Sequence, residues 1–221
     1  MCIRDRYAIN KHANNQVVQL WHAIGFLKRF GLSLPTASQS VLKPHTNYDW
    51  VFINSEIDKP AYVDAFDVDP DHVIASGEPM MDELMRQHPE THSGTKRMLY
   101  SPTYRPGVHG EAQVLAYVRE FVSASQQLQE PWDIYISLHP YLKLPNWHLP
   151  SHVHVFQDAT RVKQIMPTMD LFITDYSSLS LNFSYFERPI LLYTPDYQNY
   201  IKTCGFCLLY TSDAADDGES V

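Results

Sequence analysis

A chain of 221 residues, 44% hydrophobic and 19% charged, is long enough for one large domain or two small ones with buried cores, and its composition is not that of a disordered protein. No apolar run approaches the ~18 residues that a membrane-spanning helix requires, so a soluble protein is expected, free or attached to a membrane surface. The formal net charge of −8 argues against non-specific nucleic-acid binding, which rests on clustered Lys and Arg, so a bound phosphate has to be gripped locally.

In chain order, apolar runs of strand length fall at 17–20, 50–53, 72–75, 97–100, 134–138, 153–156, 171–174 and 190–193. Helical spacing falls between them, at 59–66, 79–87, 110–128, 160–166, 178–186 and 196–202. The clearest helix is 110–128, where Val114, Leu115, Val118, Phe121 and Val122 recur on one face. Strands alternating with helices predict an α/β fold with parallel sheets. The polar stretch 87–95 (QHPETHSGT) reads as a linker, which divides the body into 7–90 and 95–206. The first part holds only three strands, few for a doubly wound sheet, and is expected to be incomplete. Residues 1–6 (MCIRDR) have no apolar targeting core, and 207–221 have no periodicity and no Lys or Arg. Both resemble translated adapter sequence and are expected to be non-native and unstructured.

The chemistry is concentrated at Thr174-Asp175-Tyr176-Ser177-Ser178, which follows the apolar run Leu171-Phe172-Ile173 and opens a helical segment. The first turn of a helix leaves backbone N–H groups unpaired at the positive end of the macrodipole, and Ser177 and Ser178 would add hydroxyl donors to such an anion site. Asp and Ser are also the commonest helix caps, so capping and phosphate binding are both open locally.

Other polar residues follow strand ends, where ligands of open α/β sheets bind. Ser101-Pro102-Thr103-Tyr104-Arg105 follows 97–100, His139-Pro140 follows 134–138, and His22 follows Leu20-Trp21. Arg105 can bind phosphate with two N–H groups or be a solvated loop arginine. His139 precedes a proline that holds it extended. His22 can present a general base or be a satisfied structural histidine.

No metal and no cofactor is expected. Of His148, His152 and His154, only the last two share a strand face, and no Cys or carboxylate is close in sequence to complete a shell. Three cysteines fit a reducing compartment, hence a cytoplasmic protein, and Cys204-Gly205-Phe206-Cys207 lacks the strand and long helix of a redox dithiol. No phosphate loop and no Gly-x-Gly-x-x-Gly fingerprint is present.

Five ordered segments resemble the CDP-glycerol glycerophosphotransferase family of teichoic acid primases and polymerases. They are Trp21-His22-Ala23 with the following Lys28 and Gly31, Gly77-Glu78-Pro79-Met80-Met81-Asp82, Tyr100-Ser101-Pro102-Thr103-Tyr104-Arg105, His139-Pro140, and Ile173 to Ser178. Met80 and Cys204 stand where the family has arginine. The resemblance implies a GT-B-like architecture of two Rossmann-like domains facing a cleft: an acceptor-side domain at 7–90 and a nucleotide-binding domain at 95–206.

It also implies transfer of glycerol phosphate from CDP-glycerol, or of ribitol phosphate from CDP-ribitol, to a hydroxyl of a lipid-linked polymer, releasing CMP at the inner face of the membrane. His22 would be the catalytic base. Arg105, His139, Ser177, Ser178, Thr103 and Asp175 would form the substrate site, with Asp175 orienting its turn. A nucleotide-sugar glycosyltransferase and a non-catalytic nucleotide-binding remnant are the competing readings.

Overall fold

The computed structural model describes residues 12–21, 23–25, 27–34, 45, 47–87, 94–105, 109–143 and 145–205. The terminal segments set aside from the sequence lie outside these residues, as does most of the expected linker. By contact, the chain divides into two units. The first comprises the described residues of Met1–Asp82 and Asp196–Val221; the second is Glu83–Pro195. The sequence boundary at 206 had left the last helix in the second domain, whereas its contacts group it with the first.

The first unit holds a parallel sheet in the order β1 (Val18–Leu20), β2 (Trp50–Ile53), β3 (Val73–Ala75). Strand alternation sends Val51, Ile53 and Val73 to one face, where they pack against Tyr62, Ala65 and Phe66 of α1 (Lys59–Phe66). The opposite face leaves Val18, Leu20 and Ile74 exposed. Gly31 has φ +58, and a Cβ there would collide with the Ala65 carbonyl, so this turn closes onto α1 only without a side chain. The helix α2 (Pro79–Met85) contains the boundary between the units.

The second unit is built on five parallel strands in the order β6 (Val153–Phe156), β5 (Trp132–Ser137), β4 (Lys96–Ser101), β7 (Leu171–Thr174), β8 (Ile190–Leu192). Helix α3 (Gly110–Ser125) covers one face, with Val114, Val118 and Val122 against Met98, Tyr100, Ile134, Ile136 and Ile173. Leu99 and Phe172, in register on β4 and β7, are buried on the other face, where Phe172 meets Phe183 of α5 (Leu179–Ser184) at 5.2 Å between ring centres. Both faces are therefore covered, as a parallel sheet requires. The remaining helices are α4 (Ala159–Ile165) and, in the first unit, α6 (Tyr197–Thr203). Each strand and helix expected from periodicity is present with ends shifted by at most a few residues.

Candidate functional site

The central strands β4 and β7 run side by side and end together, Ser101 opposite Thr174, so their loops leave the sheet on one rim. Thr174 Oγ1 donates to the Ser101 carbonyl at 2.7 Å and locks the two ends in register. Asp175 then joins the loops. Its Oδ1 accepts the Thr103 N–H at 2.8 Å and the Tyr176 N–H at 2.6 Å, while its Oδ2 accepts from Arg105 Nη2 at 2.8 Å. Arg105 Nη1 donates to the Thr103 carbonyl at 2.6 Å, and the guanidinium lies 5.0 Å from the Tyr176 ring centre.

Arg105 is 5% and Asp175 4% exposed, so this is an ion pair removed from water. Losing one partner of such a pair costs about 3–5 kcal/mol, because the other is left charged and buried. The aspartate therefore orients the turn. The arginine expected to meet the substrate is turned inward onto that aspartate, and Thr103 has both its N–H and its C=O in the same brace, with Oγ1 buried and unpartnered among the described residues. The start of α3 packs on this loop, where a Cβ on Gly110 would collide with the Arg105 carbonyl.

The two serines divide the alternatives left open by sequence. Ser177 Oγ accepts the Leu179 N–H at 3.3 Å, and the Ser177 carbonyl accepts Ser180 Oγ at 2.9 Å, so Ser177 caps α5. Ser178, at the N-cap position itself, has helical dihedrals (φ −62, ψ −12) and makes no side-chain capping bond. Both are half-buried on the rim.

His139 follows the end of β5. The Tyr141 N–H donates to its Nδ1 at 3.3 Å, which leaves the neutral ring protonated on Nε2. The imidazole packs against Tyr104 at 4.9 Å and Tyr141 at 4.8 Å, which also meet each other at 6.2 Å, and Gln157 Nε2 ties the His139 and Leu142 carbonyls together at 3.0 and 2.7 Å. Tyr104 lies between Thr103 and Arg105 in sequence, so His139 rests against the loop that Asp175 braces. Sequence reading missed Tyr104, Tyr176 and Gln157 as supports, because ring packing over such separations leaves no local signature.

The proposed base, His22, lies outside the described residues. Its neighbour Trp21 stacks on Phe30 at 4.5 Å, with 13° between the rings. Tyr62 joins this aromatic cluster, and burial with the nearby Asp58 charge pushes its hydroxyl far above the ordinary range. Cys204 follows α6 with its N–H bonded to the Tyr200 carbonyl at 2.9 Å. Among the described residues no three His, Cys, Asp or Glu converge as a metal site. A cavity of about 480 Å³ lined by Thr95, Trp132, Asp133 and His152 lies at the opposite, amino-terminal end of the strands, away from this rim.

A family sequence model described as CDP-Glycerol:Poly(glycerophosphate) glycerophosphotransferase matches residues 3–217. The chain is 27% identical to the teichoic acid ribitol-phosphate primase of Bacillus spizizenii, covering 90% of this chain and 57% of that protein. It is 28% identical to the teichoic acid glycerol-phosphate primase of Bacillus subtilis, covering 95% and 59%, and 28% identical to the teichoic acid ribitol-phosphate polymerase TarL of Staphylococcus aureus, covering 93% and 40%. The chain thus spans about half the length of the curated relatives it matches. Among solved structures, the wall teichoic acid polymerase TagF superimposes with a TM-score of 0.63 at 19% identity, covering 93% of this chain and 57% of that one, which places the fold in the GT-B-like α/β class. The chain belongs to the CDP-glycerol:poly(glycerophosphate) glycerophosphotransferase family.

Proposed function

We propose that the protein carrying this chain transfers an alcohol phosphate, glycerol phosphate in the first instance, from a CDP-alcohol to a hydroxyl of a growing polymer and releases CMP. The acceptor hydroxyl oxygen attacks the phosphorus that bears the glycerol, the bond from that phosphorus to the bridging oxygen breaks, and CMP leaves with that oxygen. His22 accepts the hydroxyl proton. Ser178, Ser177 and the Nε2–H of His139 donate to the diphosphate oxygens at the start of α5. Thr103, Arg105 and Asp175 form the brace that holds those donors in place. The acceptor in this reading is lipid-linked, and the protein works at the cytoplasmic face of the membrane. No helix among the described residues is long and apolar enough to cross one.

The observation that carries the reading is the rim turn itself: Ser178 stands at a helix start with a hydroxyl that makes no capping bond, directly after a buried Asp175–Arg105 brace. The test is CMP release from CDP-glycerol and, separately, from CDP-ribitol, with a primed lipid-linked acceptor. His22→Ala is expected to lower turnover by roughly 10²- to 10⁴-fold, the usual contribution of a general base. Equal CMP release with and without His22 would remove the base assignment, and turnover of UDP-sugars in preference to both CDP-alcohols would remove the transfer reaction.

A further inference from the structure

We propose that Asn54 and Asp58, neither of which carries a family motif, are positioning residues that act through Gly25, three residues after His22. Asn54 Oδ1 accepts the Gly25 N–H at 3.2 Å, and its Nδ2 donates to Asp58 Oδ2 at 3.0 Å. The inference rests on His22 as the base and extends that reading to the residues that hold its segment.

Asn54 directly follows β2, whose last residue, Ile53, is buried, so its backbone is fixed by the sheet. Its amide has a defined polarity at both ends. A backbone N–H requires the oxygen and a carboxylate requires the NH₂, so a flipped amide would set donor against donor and acceptor against acceptor. Gly25 has φ +68, a left-handed conformation that glycine adopts without steric cost.

Asp58 is 7% exposed and ends the short turn Glu56–Asp58 that leads straight into α1, a turn whose start is capped by Ser55, where Oγ accepts the Ile57 N–H at 3.4 Å. Its carboxylate is thereby held by the helical backbone in reach of the Asn54 amide. Trp21, which precedes His22, is equally held. The Trp21 N–H donates to the Phe52 carbonyl at 3.0 Å, and the indole stacks on Phe30 and meets Tyr62 and Phe66 at 5.8 and 5.3 Å. The residues flanking the base are thus pinned from β2 and α1, and a displacement of about 1 Å in such a group lowers turnover on the order of 10²-fold.

The experiment compares Asn54→Asp with the paired swap Asn54→Asp and Asp58→Asn. The single change sets carboxylate against carboxylate; the swap restores one donor facing one acceptor while the new carboxylate still accepts the Gly25 N–H. The single variant is expected to lose roughly 10- to 100-fold in kcat with KM for CDP-glycerol within about twofold, and the swap to recover most of the loss. In glycine-¹⁵N-labelled protein, the Gly25 amide is expected to exchange faster in Asn54→Asp and to be protected again in the swap.

A merely structural pair would lower melting temperature and reduce kcat only in proportion to the folded fraction read by circular dichroism, so that kcat per folded molecule is unchanged, which overturns the proposal. So does unchanged kcat despite accelerated Gly25 exchange. The exchange arm needs no turnover: unchanged Gly25 exchange in Asn54→Asp removes the anchor whatever His22→Ala does, whereas turnover surviving His22→Ala removes the base assignment alone.

Discussion

At Thr103 the backbone and the side chain play separate parts. A threonine next to a proline at a strand end reads as a ligand hydroxyl, yet its Oγ1 is buried without a partner among the described residues, and its backbone groups belong to the Asp175–Arg105 brace. Replacing a buried, unbonded hydroxyl with a methyl group removes a desolvation cost and leaves the backbone contacts in place. Thr103→Val is therefore expected to leave thermal stability unchanged or raise it by about 1 kcal/mol, with KM for the CDP-alcohol donor within about twofold. A tenfold rise in KM without loss of stability would return the hydroxyl to the substrate. Arg105 is the companion case. Its spacing from Asp175 in sequence, 70 residues, is bridged only because β4 and β7 are neighbours, so no local pattern announces that the guanidinium turns inward.

Among elements, the start of α5 separates two serines that are equivalent in sequence. Ser177 holds the first turn through the Leu179 N–H, whereas Ser178 makes no such bond. Ser177→Ala is expected to destabilise the second unit by about 1 kcal/mol, the usual worth of a cap. Ser178→Ala should change stability by less than about 0.5 kcal/mol and weaken CDP binding instead; chemical denaturation and CDP titration of the two variants separate these effects. Equal stability losses would make the pair a plain cap. The strands and helices themselves were legible, since a period of two or of 3.6 is written within a few residues. Their ends were less so: the expected helix at 178–186 shortens to Leu179–Ser184 because caps and side-chain bonds to the backbone set its limits.

At the scale of the whole molecule, family membership leads to an equilibrium expectation that needs no catalysis. If the rim of the second unit holds the donor diphosphate, CDP stabilises the protein by mass action, by about 2.7 kcal/mol at a hundred times its dissociation constant. Thermal melts with rising CDP are expected to shift upward in the wild-type protein and much less in Ser178→Ala; a shift of equal size in both would place the nucleotide elsewhere.

The sequence by itself determined the alternation of strands and helices, the parallel α/β class, the order of the motifs and through them the family, because each depends on residue patterns a few positions long. The tertiary structure decided which polar groups face one another: Asp175 with Arg105, Ser177 with the first turn of α5, Asn54 between Gly25 and Asp58, and the last helix with the first unit rather than the second. Those pairings join residues that strand order and register bring together, and an inward-turned arginine and a substrate-facing one are the same letter until that register is known.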